Sequence, residues 1–334
     1  MNFVNEHTEQ KPLGTGYGPR TTAAELVSGK NLTGKIAIVT GGHSGLGYET
    51  AQSLAAAGAT VILPARSIEK ARAAAATIAG AEAEELDLAD PLSIDAFAAR
   101  FLASGRPLHL LIHSAGIMAI PLQYDKNGHE LQFSTNFLGI YGLTSRLWPA
   151  LKAAGEARTI VVTSRGHRLS DVHWDDPNYK ERTYNKWEAY GQSKTAAALF
   201  AVELDRRGRQ HGVRAFSVHP GSIVTNLSRY LSDEEMGAMG AIDKSGRRAF
   251  AAYDDDRKTI PEGAATIVWC AVGEELRGKG GVYCENGDIA NRIDGGNPAD
   301  GALSGVMPWA VDPDAASKLW LVAERLTGTT FLAE

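Results

Sequence analysis

Short apolar runs alternate with longer stretches of helical periodicity along most of this chain. Lys35-Ile36-Ala37-Ile38-Val39-Thr40 is the first run, and Thr60 to Ala65 is the second. Others follow at Ala83 to Leu88, Leu108 to His113, Thr159 to Ser164, Val213 to His219 and Gly281 to Tyr283. Runs this short and apolar fit strands buried on both faces of a parallel sheet. Between them apolar positions recur at helical spacing. Leu46, Thr50 and Leu54 share one face, with Ala51 and Ala55 beside them and Gly58 as the stop. Asp90-Pro91 has the form of a helix start, and a long helical pattern surrounds Asn136. Another helix carries Tyr190 and Lys194 through Leu199, Phe200 and Val202, and Pro261 opens a later one that Gly273 closes. The alternation predicts an α/β fold in one domain, a doubly wound parallel sheet over residues 34–284.

The ends depart from this pattern. Residues 1–33 form a polar, glycine- and proline-punctuated arm, with a short helix near Thr21 or Thr22, laid on the surface or on a neighbouring subunit. Residues 285–334 form a C-terminal extension packed on the same domain. In it Glu285-Asn286-Gly287-Asp288 and Gly295-Gly296 read as loop, and Asp312 to Leu326 reads as helix.

The chemistry gathers where strands end. Thr40-Gly41-Gly42-His43-Ser44-Gly45-Leu46-Gly47 joins the first strand to a helix. Glycines let a backbone approach closely, and the helix start offers free N–H groups, so the loop suits a pyrophosphate in a Rossmann-like fold. Arg66 follows the second strand, where a carboxylate would bond the ribose of NAD and an arginine can hold the 2′-phosphate of NADP. NADP(H) is therefore expected over NAD(H); the bland alternative is a solvated loop arginine. Tyr190 and Lys194 lie one helical turn apart. A phenol is a poor base alone, but a fixed cation beside it favours the phenolate, so Lys194 is expected to lower the Tyr190 pKa.

Composition removes other classes. Apolar residues at 44% and charged residues at 22% are ordinary for a globular protein. A net charge of −5 without a dense basic stripe excludes nucleic acid as the main partner. No apolar run is long enough for a membrane span. Two cysteines, Cys270 and Cys284, make no disulfide framework. The histidines show no His-x-x-x-His pair, so no metal site is expected. With no apolar signal core, a cytoplasmic location is the expectation.

Taken together, the glycine loop, Asp87-Leu88, Ser114-Ala115-Gly116, Asn136, Ser164, Tyr190 with Lys194, and Pro220-Gly221 with Thr225 resemble the short-chain dehydrogenases/reductases. The resemblance covers residues 33–284, with one departure: His113-Ser114 stand where the family usually has Asn-Asn. The 26-residue spacing of Ser164 and Tyr190 is long, leaving an insert at 165–189. Such an insert resembles the subgroup of retinol dehydrogenases, WW-domain oxidoreductases and protochlorophyllide reductases.

The resemblance implies roles. Tyr190 would be the general acid/base of an alcohol/carbonyl interconversion on an apolar small molecule. Lys194 would tune it and bond the nicotinamide ribose, Ser164 would orient the substrate oxygen, and Asn136 would hold a relay water. Gly41, Ser44, Gly45, Leu46, Gly47, Arg66, Asp87, Leu88, Ala115, Gly116, Pro220, Gly221, Ile223 and Thr225 would contact cofactor, together with Tyr190 and Lys194. Asp87 would meet the adenine amino group. Residues 226–260 would form a substrate lid. Trp174, Tyr179, Tyr184 and Trp187 either line the substrate pocket or pack the insert. Many family members are dimers or tetramers, so a homo-oligomer is compatible. The competing functions are reduction of an activated C=C bond and a nucleotide-sensing protein without turnover.

Overall fold

The computed structural model describes residues 8–293 and 304–332. The Gly295-Gly296 loop lies outside the described residues. The first helix, α1 (Ala23–Val27), starts at Thr22, whose side chain and Glu25 make a reciprocal capping box. Then come β1 (Ile36–Thr40), α2 (Gly45–Ala56), β2 (Thr60–Ala65), α3 (Ile68–Ala75), β3 (Glu82–Glu85), α4 (Pro91–Ala103) and β4 (Leu110–His113). A short α5 (Leu131–Phe133) passes through a π turn at Ser134–Leu138 into α6 (Gly139–Ala153). The second half holds β5 (Ala157–Val162), α7 (Lys186–Gly208), β6 (Val213–Val218), α8 (Asp233–Ala238), α9 (Ile260–Val272), β7 (Val282–Glu285), β8 (Asp288–Ile289) and α10 (Pro313–Thr327).

The strands form one eight-stranded sheet in the order β3-β2-β1-β4-β5-β6-β7-β8. All neighbours are parallel except β7 and β8. Alternation along β1 explains the two layers. Ile38 joins the core beneath α4, α6 and α7, with Leu111, Phe137 and Phe200. Ala37 and Val39 face the opposite core, with Val61, Ile112 and Trp269. The chain leaves β1 toward β2 and β3, then returns to β4 on the other side. This reversal opens a crevice between the ends of β1 and β4.

Several boundaries differ from expectation. β3 stops at Glu85, so Asp87 lies past the strand end. β5 stops at Val162, and Ser164 instead caps the 3₁₀ turn Arg165–Leu169 by accepting from the Gly166 N–H. Glu285 to Asp288, expected as loop, instead ends β7 and starts β8, with Asn286 (φ 53°) and Gly287 (φ 74°) forming the two-residue hairpin turn between them.

The ends pack on their own chain. Trp320 of α10 stacks on Phe200, with centroids 5.9 Å apart, and meets Tyr141 edge-on at 5.2 Å. From the arm, the Gln10 amide donates to the Tyr283 and Ala290 carbonyls and accepts from the Tyr283 N–H. The Asp288 carboxylate accepts from the arm amides of Leu13, Gly14 and Thr15.

Candidate active site

At the crevice the glycine loop is packed with no spare room. A Cβ on Gly41 (φ 70°) would stand 2.9 Å from Ala115 Cα, and one on Gly47 would stand 2.5 Å from Gly41 O. The loop thus fits its neighbours with bare backbone. Ser44 is the N-cap of α2, but its side chain makes no capping bond, which leaves the hydroxyl and helix start open to an anion. These features fit a dinucleotide pyrophosphate.

A cleft of about 1530 Å³ runs from this cradle across the strand ends. It gathers Gly41, Ser44, Gly45, Leu46, Gly47, Arg66, Asp87, Leu88, Ala115, Gly116, Ser164, Tyr190, Lys194, Pro220, Gly221, Ile223 and Thr225. Asn136 alone of the expected set lies outside its walls. Its amide is engaged behind them, accepting from Ile117 N (3.0 Å) and donating to Ile117 O (2.9 Å) and Ser193 Oγ (2.9 Å). It still approaches Lys194: a Cβ on Gly116 would lie 3.1 Å from Asn136 Oδ1 and 3.5 Å from Lys194 Nζ.

Local structure fixes the rest. Asp87 turns the chain after β3, its carboxylate accepting from the Ala89 N–H at 2.9 Å. Ala115 N donates to Thr40 Oγ1 at 3.2 Å, tying the β4 loop to β1. Gly221 has φ 98° and lies against Lys258. Ile223 packs with Leu46 over Gly263, where a Cβ would be 2.7 and 2.8 Å from their methyls. Thr225 caps the 3₁₀ turn Asn226–Tyr230.

The Tyr190 ring and the Ser164 hydroxyl meet at Gly166, where a Cβ would stand 2.6 Å from Tyr190 Cε1 and 3.3 Å from Ser164 Oγ. Burial pushes the phenol up to about 12, with the nearby Ser164 hydroxyl opposing. The expected lowering by Lys194 is absent. Lys194 Nζ sits 5.7 Å from the ring centroid and donates to Val162 O at 3.0 Å. Burial brings Lys194 itself down to about 8.

At the adenosine end, Arg66 is exposed and lines the cleft beside His43 and Lys70. Burial, then the charges of Lys70, Arg66 and Arg229, lower the His43 pKa, so three cations crowd this corner. Lys70 and Arg229 were not foreseen; the signal for Lys70 was its place one turn beyond Ser67 in α3.

The far end is apolar. Met118, Trp187, Val224, Met236 and Phe250 pack together there and also line the cleft. Of the insert aromatics, Trp187 reaches the cleft and meets Tyr190 edge-on at 6.5 Å. The other three pack the insert: Trp174 lies under Lys318, and the Tyr184 hydroxyl bonds Glu130 and Ile120 O, with Tyr179 against its ring. The segment 226–260, expected as a lid, is tied to the body at its C-terminal end. Arg165 pairs with Asp256 at 2.5 and 3.0 Å and donates to Ser222 Oγ at 3.2 Å. Lys186 at the start of α7 pairs with Glu235 of α8 at 2.5 Å.

A glycine cradle at the switch point of a doubly wound sheet defines a dinucleotide-binding protein. Comparison with known sequences gives the family: residues 35–236 match the family described as short chain dehydrogenase, and the chain belongs to it. It is thus an oxidoreductase of a family that binds nicotinamide cofactors and acts on small molecules. The chain is 42% identical over 296 residues to a probable oxidoreductase of Streptomyces lividans, covering 87% of this chain and 96% of that protein. It is 34% identical over 324 residues to the human WW domain-containing oxidoreductase, covering 93% and 72% respectively. Among solved structures, one from Mycobacterium paratuberculosis, titled a putative uncharacterized protein, superposes with a TM-score of 0.69 at 32% identity, covering 93% of this chain and 98% of that one. No helix among the described residues is long and apolar enough to cross a membrane.

Proposed function

We propose that this protein is an NADP(H)-dependent oxidoreductase that interconverts a primary or secondary alcohol and its carbonyl on an apolar small molecule. One observation carries the reading: Ser164 and Tyr190 stand together beside Gly166, where the glycine cradle's cleft meets its apolar end.

Bound NADPH supplies hydride to the carbonyl carbon. Tyr190, held near 12, is protonated at neutral pH and gives its proton to the carbonyl oxygen. The Ser164 hydroxyl, fixed by the Gly166 N–H at 3.0 Å, donates to the same oxygen and stabilises the charge that develops there. Lys194 retains most of its charge at pH 7 and stabilises the phenolate left behind. In oxidation the proton runs from the alcohol to Tyr190. Asn136 has its amide committed to Ile117 and Ser193, so its contribution is to fix the wall beside Lys194; the π turn carrying it breaks the regular ladder of helix carbonyls. Arg66, with Lys70 beside it, holds the 2′-phosphate.

The test is NADPH consumption against a panel of apolar ketones, aldehydes and enones, with Tyr190→Phe in parallel. Alcohol product from the wild type and none from Tyr190→Phe supports the reading. A saturated ketone from an enone favours C=C reduction instead. Cofactor binding without turnover on the whole panel favours the sensing protein.

A further inference from the structure

His167 lies fully buried behind the cleft, and every polar atom of its side chain is engaged. Ser164 and His167 are three residues apart at the start of a 3₁₀ turn, where such positions eclipse. The imidazole Nδ1 stands 2.8 Å from Ser164 O. On the opposite side Nε2 accepts from the Met307 N–H at 3.1 Å, across 140 residues of chain.

Tyr283 Oη is a third contact, 3.3 Å from Nδ1, and since a hydroxyl can accept as well as donate, the two backbone partners determine the ring's form. Met307 N–H can act only as donor, so Nε2 must present its lone pair. The single proton of the neutral ring then sits on Nδ1 and points at the Ser164 carbonyl, which can act only as acceptor. A second proton on Nε2 would set two donors against each other. The Tyr283 ring, with its centroid 5.0 Å away, flanks the imidazole, and burial lowers the His167 pKa to about 4. The His167 carbonyl is held in turn, by Thr195 Oγ1 at 3.1 Å and Trp309 Nε1 at 3.2 Å. Thr195 follows Lys194 on α7, and Met307 and Trp309 belong to the C-terminal extension.

We propose that His167 is a positioning residue for Ser164, through which the segment around Met307 sets the direction of the Ser164 hydroxyl. A bonded core histidine would be mere packing if Ser164 were indifferent to it. Here the imidazole holds the carbonyl of the same residue whose Oγ lies beside the Tyr190 ring at Gly166. The same peptide is also held by the His167 N–H on Ser164 O at 3.1 Å and by the Arg165 N–H on His219 Nδ1 at 3.2 Å, so loss of the imidazole removes one of three anchors and loosens rather than frees it; an error of about 1 Å at a reacting group costs up to about 100-fold in rate.

The proposal rests on the alcohol/carbonyl reading above. The experiment compares wild type, His167→Phe, His167→Asn, Ser164→Ala and the Ser164→Ala/His167→Phe double variant. His167→Phe is expected to lower kcat by about tenfold while the NADPH dissociation constant stays unchanged. His167→Asn, whose amide can still donate to Ser164 O, recovers most of that loss. In the Ser164→Ala background His167→Phe costs nothing further, because its effect passes through Ser164. A loss that multiplies fully in the double variant, or equal losses in the Phe and Asn variants, overturns the proposal. Imidazole ¹⁵N spectra of the wild type give a readout independent of turnover. A proton on Nδ1 with bare Nε2 from pH 8 to pH 5 supports it, and a proton on Nε2 overturns it. Wild-type protein inactive on the whole panel defeats the oxidoreductase reading and this proposal with it; an active wild type with additive variants defeats this proposal alone.

Discussion

Gly166 lies flat against the ring of Tyr190. A Cβ on Gly166 would stand 2.6 Å from Tyr190 Cε1 and 2.9 Å from Cδ1, inside any real contact distance. The glycine is not required by its backbone, since it has no positive φ. It is required by the phenol beside it. Gly166→Ala is therefore expected to displace the ring and lower kcat by about 100-fold. The NADPH dissociation constant should hold, because the cradle at Gly41 and Gly47 is elsewhere in the cleft. Unchanged kcat would mean that the ring position is not decisive.

The crowd of cations at the adenosine corner makes a second expectation. Arg66→Asp should weaken NADPH binding by at least about tenfold, the loss of one charge-assisted bond, and leave NADH unchanged or improved. Fluorescence titration with both cofactors decides it. Equal effects on both would remove Arg66 from the 2′-phosphate and return it to the solvated-loop alternative.

Buried histidines set an acid limit. Burial holds His113 near 3 and His167 near 4, and pushes His219 well below its usual value. The unfolded chain takes up protons near pH 6.5, while these rings stay neutral in the fold. Stability from them is complete above pH 6.5 and is lost as pH falls toward 4. Each ring contributes a slope of about 1.4 kcal/mol per pH unit in that window. Thermal melts should show Tm falling from pH 6.5 to 4.5, less steeply in His113→Asn. A Tm that stays level across the window contradicts the prediction.

If segment 226–260 is a substrate lid, the ion pairs Arg165–Asp256 and Lys186–Glu235 are what tie it down. Asp256→Asn removes the charge that holds Arg165 and Ser222, and should raise KM for apolar substrates several-fold, with a smaller change in kcat. Limited proteolysis should cut faster within residues 226–255. Equal cleavage rates in variant and wild type would show that the segment is held by other means.

How far the sequence carried these conclusions depended on distance along the chain. Gly41 to Gly47 was legible because strand, loop and helix are contiguous and the spacing itself states the constraint. Ser164 at a strand end, with Tyr190 and Lys194 one helical turn apart, was legible as a constellation. Their electrostatics were not. Spacing put a cation near a phenol, but burial sets the phenol and Lys194 does not lower it, and no local pattern reports burial depth. His167 passed unnoticed because its meaning comes from Met307, 140 positions away. The β7–β8 hairpin is a different failure: Asn286-Gly287 is a strong local turn signal, passed over because β8 is two residues long. The insert aromatics divided three to one between packing and cleft, which periodicity in an irregular segment could not separate.

The N-terminal arm has a consequence for how this molecule meets others. An open sheet normally ends in unpaired backbone that invites another chain to add a strand. At one margin here the arm is tethered to β7 and β8, its Gln10 side chain bonding the Tyr283 backbone and the Ala290 carbonyl and its amides donating to the Asp288 carboxylate. At the other, β3 bristles with Glu82, Glu84 and Glu85, the first two clamped by Arg106 and Arg100. One margin is thus held by the chain's own tether and the other carries clamped charge, two features that discourage a further strand from adding there.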